Sequence, residues 1–276
     1  MEKDLKNNIE EFLLDMKMQE KSKNTIEHYR YVVNLFVDSL GNREPTKNDV
    51  IQFKSELIDK FKPKTVTNYL TIVNKFLKYC DLEDLTVKNI KIQQKSNLEE
   101  VLEPIDLKRL LRMAKQTNQM DLYYIMKIIA FTGIRIDELK IFTVENIKSN
   151  YITVSNKGKI RDVIIRQDLR RELVRYCREN NIKSGYIFPG KKKGTMIHKT
   201  TIFKRMKKLA GKCRGISKSK VHAHSFRHLF AVKYIEQGGD VTEVADILGH
   251  SSIETTRIYT RTTVKMKRDK MERMKY

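Results

Sequence analysis

Apolar positions in the first 95 residues recur every three to four places. Ile9, Phe12, Leu13 and Met16 make one stripe, and Ile26, Tyr29, Val32, Val33, Leu35 and Phe36 make a second. Val50, Phe53, Leu57 and Ile58 make a third, and Val66, Tyr69, Leu70, Val73, Phe76 and Leu77 a fourth. That period is the signature of amphipathic helices. Asn24 or Thr25 reads as the N-cap of the second segment and Gly41 as its stop, Thr46 opens the third, and Pro63 stands just ahead of the fourth. The pattern predicts a small four-helix unit over residues 1–90. The polar stretch 91–103 has no periodicity and reads as a linker to a second unit, residues 104–276.

The second unit begins with Pro104 and the stripe Leu107, Leu110, Leu111 and Met113, followed by a continuously apolar helix from Leu122 to Phe131 that Gly133 ends. The period then changes to two. Tyr151–Val154 alternates as a strand, Asn156–Lys159 reads as a turn, and Asp162–Arg166 reads as the returning strand. Helices resume at residues 168–180, 200–210 and 224–237, the last closed by Gly238 and Gly239. Asp240 and Glu243 have capping-box spacing ahead of a further helix that Gly249 stops. A short helix from Ser252 to about Tyr259 and a basic tail helix, Thr263–Tyr276, are expected to close the chain. The fold class is therefore mainly α with a small β-sheet.

Charge alters this picture more than length does. The 276 residues carry 56 Lys and Arg against 34 Asp and Glu, a net charge of +22. Residues 1–95 hold 17 basic and 15 acidic residues, and residues 96–276 hold 39 and 19, so the second unit carries nearly all of the positive field. Between Glu179 and Glu236 there is no acid at all, against 15 Lys or Arg, and apolar positions such as Ile202, Phe203, Met206 and Leu209 are interleaved. A one-sided run of this kind that also folds is expected to face phosphate. A lysine-rich surface serving only solubility is the plainer reading. No apolar run approaches the roughly 18 residues of a membrane span, and Met1–Glu20 is charged throughout, so a cytoplasmic protein with no membrane partner is expected. Cys80, Cys177 and Cys213 fit neither a disulfide framework nor a zinc spacing.

The chemistry-bearing candidates are cationic and hydroxylic. Arg135 follows the Thr132–Gly133 break, and Lys157 sits in the turn between the strands. His224 and Arg227 are three apart on one helix, so both can project from one face. His250 follows a helix stop, and Tyr259 lies nine residues further on. Each has an ordinary structural reading: Arg227, for instance, could simply bridge to Glu236 or Glu243. No His-Glu-x-x-His, no phosphate loop and no Gly-x-Ser-x-Gly elbow is present.

The ordered strings are Thr132-Gly-Ile-Arg-Ile-Asp-Glu-Leu139, Asn156-Lys-Gly-Lys159, His224-Ser-Phe-Arg-His228, Leu248-Gly-His250 and Thr255-Thr-Arg-Ile-Tyr259. Together they resemble the tyrosine recombinases, the family of phage integrases and the Xer recombinases. Lys23-Asn-Thr-Ile-Glu-His-Tyr29 and Thr65-Val-Thr-Asn-Tyr-Leu70 look like that family's helical, SAM-like core-binding domain. The resemblance implies a C-shaped clamp, with the helical core-binding domain on one DNA face and a mixed α/β catalytic domain on the other. It implies Tyr259 as nucleophile, Arg135 and Arg227 as phosphate clamps, His250 as a further donor, His224 as proton acceptor and Lys157 as general acid. Glu138 matches an acidic position that orients the site. The hairpin is one residue shorter than a common Lys-Gly-x-Lys-x-Arg form, so Lys159 competes with Lys157 for the acid role.

The resemblance further implies a site-specific recombinase that cleaves and rejoins double-stranded DNA at inverted half-sites through a 3′-phosphotyrosyl intermediate, a scheme that needs no metal and no cofactor. A dimer would occupy each site and a homo-tetramer the synapse. Integration and excision or resolution of a mobile element is the expected task, with Xer-like chromosome-dimer resolution as the alternative. A catalytically inactive DNA-binding protein of the same fold and a type IB topoisomerase-like relaxing enzyme are the rival readings. The basic tail is expected to dock on a neighbouring protomer or to lie on phosphate.

Overall fold

The computed structural model describes residues 5–41, 43–91, 102–156, 159–249, 271, 272 and 274. The chain divides into two compact units, residues 1–94 and 95–276.

In the first unit, helices α1 (Leu5–Met18), α2 (Lys23–Leu40), α3 (Lys47–Lys60) and α4 (Pro63–Tyr79) bury the four expected stripes. Phe12, Phe36 and Phe76 are wholly buried, and the rings of Phe12 and Phe76 meet edge to face at 5.3 Å. The N-cap of α2 is Ser22, not Asn24 or Thr25: its hydroxyl accepts from the Thr25 backbone N–H at 3.2 Å. Thr46 and Asp49 cap α3 reciprocally. Beyond α4 and a 3₁₀ turn, Glu83–Leu85, the backbone is laced down by side chains. The Asn74 amide donates to the Val87 carbonyl at 2.8 Å and accepts from its N–H at 3.0 Å, and the Lys54 ammonium donates to the Lys88 carbonyl at 2.8 Å. Those bonds carry the first unit through the 80s into the polar stretch.

The second unit opens earlier than Pro104. Leu102 is 1% exposed in its core, and Glu103 forms a reciprocal cap with Asp106 ahead of α5 (Pro104–Gln116). Helix α6 (Met120–Thr132) is mostly apolar and is buried on every side from Leu122 to Ala130, which makes it the central element. Its one buried cation, Lys127, is satisfied by both oxygens of Glu172, at 2.7 and 2.6 Å. Strands β1 (Tyr151–Asn156) and β2 (Lys159–Ile164) form an antiparallel pair with Tyr151 opposite Ile164 and Asn156 opposite Lys159. The returning strand thus begins three residues before the expected Asp162. Its outer face, Ile160, Asp162 and Ile164, is solvent-exposed, so polar residues do not break the ladder near the turn. Helices α7 (Gln167–Glu179), α8 (Lys199–Ala210), α9 (Ala223–Glu236) and α10 (Val241–Leu248) follow. In the acid-free region, α8 buries Ile202, Met206 and Leu209, while Phe203 is 48% exposed among lysines. Among the described residues, no helix is long and apolar enough to cross a membrane.

Candidate active site

Helix α6 ends at Gly133, whose φ of +66° is the left-handed conformation that a helix stop requires. A β-carbon there would come within 2.6 Å of both Leu248 and Phe230, so only glycine lets the end of α6 meet α9 and α10. Two residues on, Arg135 opens a 3₁₀ helix spanning Ile136–Ile141. Hydrophobic periodicity does not reveal this short element, in which Glu138 folds back on Arg135. The Arg135 backbone N–H donates to the Glu138 carboxylate at 2.7 Å, and its guanidinium donates at 3.3 Å.

Glu138 is buried, and a second guanidinium, Arg161 of β2, donates at 2.6 Å to Oε2, the oxygen that also accepts from the Arg135 N–H. Burial pushes the Glu138 carboxyl up. The Arg135 N–H and the charges of Arg161 and Arg135 outweigh it and hold the group below its ordinary value. Glu138 is therefore an ionised bridge between two arginines.

Arg227 comes from α9 and is 1% exposed. It does not bridge to Glu236 or Glu243, which pair with Lys233 and with the cap of α10. It donates instead to the carbonyls of Gly133 and Leu248, each at 2.7 Å. The end of α10 is thus held by three arginines in a row: Arg161 donates to the Ile247 carbonyl, Arg227 to Leu248, and Arg135 to Gly249 at 2.9 Å. The last carbonyls of a helix have no partner inside it and carry the negative end of its dipole. Three cations converging there satisfy those acceptors and draw α6, β2, α9 and α10 together.

The structure therefore brings Arg135, Glu138 and Arg227 into one cluster. His224 is exposed on α9, its ring 4.4 Å from that of His228 and perpendicular to it. Ahead of it His222 caps the helix, accepting from the Ser225 N–H at 3.2 Å, and burial together with the charge of Lys207 lowers its imidazole below the usual range. Lys157, His250 and Tyr259 lie outside the described residues, as do the expected Ser252–Tyr259 helix and most of the tail. For Lys159 only the backbone is described, in β2 opposite Asn156. Arg161 is the member of the cluster that sequence reasoning missed. Its signal was an arginine on the inward phase of β2, two places before the buried Val163.

This scaffold, two mainly helical units with a small hairpin beside an arginine cluster, is that of the tyrosine recombinases. A solved structure of XerA recombinase matches 98% of this chain and 99% of its own at a TM-score of 0.56 and 26% identity. The integrase of transposon Tn1549, solved in complex with circular intermediate DNA, shares the fold at a TM-score of 0.73 over 96% of this chain and 98% of its own, at 16% identity. Within that class the chain belongs to the phage integrase family: residues 100–266 match the family itself and residues 9–79 match its N-terminal SAM-like domain. Tyrosine recombinase XerA of Pyrococcus furiosus is 30% identical over 276 aligned residues, covering 96% of this chain and 93% of that one. The chain is a site-specific recombinase.

Proposed function

We propose that the chain breaks and rejoins a phosphodiester of duplex DNA by linking Tyr259 to the 3′ phosphate and releasing a 5′-hydroxyl. The observation that carries this reading is the meeting of Arg227 and Arg135 on adjoining carbonyls, Leu248 and Gly249, directly ahead of His250. As the Tyr259 oxygen bonds to phosphorus, negative charge gathers on the non-bridging oxygens. Two fixed guanidiniums stabilise that charge, and the effect is strongest where water is excluded, as it is around Arg227. His250 adds a donor to the same oxygens. His224 accepts the proton of Tyr259, whose ordinary pKa of about 10 would otherwise keep it a weak nucleophile at neutral pH. Lys157, or Lys159 in its place, protonates the departing 5′ oxygen. Glu138 holds Arg135 in position. Attack by a 5′-hydroxyl from another strand reverses each step and restores the tyrosine.

The substrate we infer is double-stranded DNA with inverted half-sites, one protomer on each half-site, a dimer on each site and a homo-tetramer joining two sites. The charge of residues 96–276 and the acid-free interval supply the electrostatic grip. The DNA in the Tn1549 integrase complex supports the same reading. The test is a nicked duplex that traps the covalent product. The unaltered protein yields a denaturation-resistant protein–DNA adduct, and Tyr259→Phe yields none while still shifting the duplex in a gel. An adduct retained by Tyr259→Phe overturns the assignment.

A further inference from the structure

The chemistry proposed above leaves Arg161 without a role, yet among the described residues it is the hairpin side chain that bonds to the end of α10. Its guanidinium spans the Glu138 carboxylate, at 2.6 Å, and the carbonyl of Ile247. Its stem lies directly against Gly249: a β-carbon at that residue would come 2.8 Å from Arg161 Cδ and 2.9 Å from Nε. The side chain is only 10% exposed. Arg161 thus fills the space between β2, the Arg135–Glu138 turn and the residue preceding His250. Along the chain it stands two places after Lys159 and four after Lys157, in the first half of the strand that leaves the turn.

The geometry points to Arg161 as a positioning residue for the general acid, an inference that rests on the phosphotyrosyl reading. Strand β2, which begins at Lys159, is held to α10 and to the Arg135–Glu138 turn by side-chain bonds of Arg161. One guanidinium, with a planar fork that fixes two acceptors at once, registers the strand against both. Displacing it leaves the two clamp arginines on their carbonyls, because Arg135 and Arg227 have their own bonds to Gly249 and Leu248. The step that suffers is delivery of the proton to the leaving 5′ oxygen.

The experiment uses the full chain and a nicked duplex in two forms, with oxygen or with sulfur at the scissile 5′ bridging position. A thiol has a pKa near 8.5, so a thiolate leaves with little need of a proton. Arg161→Lys keeps the charge but offers one nitrogen where two acceptors must be spanned. We expect it to slow adduct formation on the oxygen substrate roughly 100-fold, the lower end of what general acid catalysis contributes. On the sulfur substrate it should react within about 3-fold of the unaltered protein, since the step then draws little on general acid catalysis. Arg161→Gln should repeat the pattern. The ratio of the two rates within one variant does not depend on the fraction of protein that is folded, so poor folding does not mask the answer. Equal slowing on both substrates, or no slowing on oxygen, overturns the inference. Failure of the unaltered protein to form an adduct with either substrate overturns instead the phosphotyrosyl reading beneath it.

Discussion

Gly249 carries two constraints that can be measured apart. Its φ of +62° is left-handed, and its missing β-carbon leaves room for the Arg161 stem. Gly41 at the end of α2 has nearly the same φ, +61°, with nothing within 4 Å of the place a β-carbon would occupy. Gly41→Ala should therefore lose only the backbone preference, about 1 kcal/mol of stability, with cleavage unaltered. Gly249→Ala should lose that and also push Arg161 out of its place against Glu138 and Ile247. Its unfolding midpoint in urea should fall further than that of Gly41→Ala, and its cleavage rate should fall with it. Equal midpoints and equal rates for the two variants would mean that the contact with Arg161 is inconsequential.

At the scale of elements, α10 is the short helix on which the site turns. Eight residues make too few turns to persist alone in water, so both of its ends need support. At one end the Asp240 side chain accepts from the Val241 N–H and Glu243 reaches back to the Asp240 N–H, while at the other the three arginines take the last carbonyls. Asp240→Ala should leave the core of the second unit intact and speed amide hydrogen exchange through α10 ahead of any other helix. Unchanged exchange would mean that the arginine end suffices. The Asp240–Glu243 box was legible in the sequence, as were Thr46, Gly133 and the mostly apolar α6, because each is a local choice in which residue type and spacing decide the conformation. Arg135, Glu138 and Arg227 were legible as residues through the ordered strings that carry them, but their meeting place was not. It depends on main-chain carbonyls from a helix more than a hundred residues away from Arg135, and a carbonyl has no sequence signature. Arg161 stood in the hairpin string without a role for the same reason, and the early start of β2 was masked because apolar Ile160 faces solvent while Arg161 faces inward, the reverse of the alternation a half-buried strand is expected to show. Of the apolar positions interleaved with the basic run, the helical phase of α8 sets Ile202 and Met206 inward and leaves Phe203 outside.

For the whole molecule, the uneven charge translates into a dependence on salt. Each phosphate neutralised by a lysine or arginine releases condensed counterions, and the logarithm of affinity falls with the logarithm of salt by about 0.9 for each. The first 95 residues, with 17 basic and 15 acidic side chains, can supply such contacts only locally; residues 96–276 carry the excess. Within that excess, α8 pairs Lys199 with Asp137 and Arg205 with Asp121, while the exposed Lys204 and Lys208 stand one turn apart beside Phe203. Among the described residues, no hydrogen bond or ion pair joins either lysine to the arginine cluster, so their loss should spare the chemistry once DNA is bound. Lys204→Gln with Lys208→Gln should flatten the log–log slope by about 2, weaken binding at low salt on matched and unmatched duplexes alike, and leave the adduct-forming rate at saturating DNA unchanged. Titrations by fluorescence anisotropy across a range of salt concentrations measure the slope. A slope unaltered by the double substitution would place the phosphate-facing surface of this recombinase elsewhere than on α8.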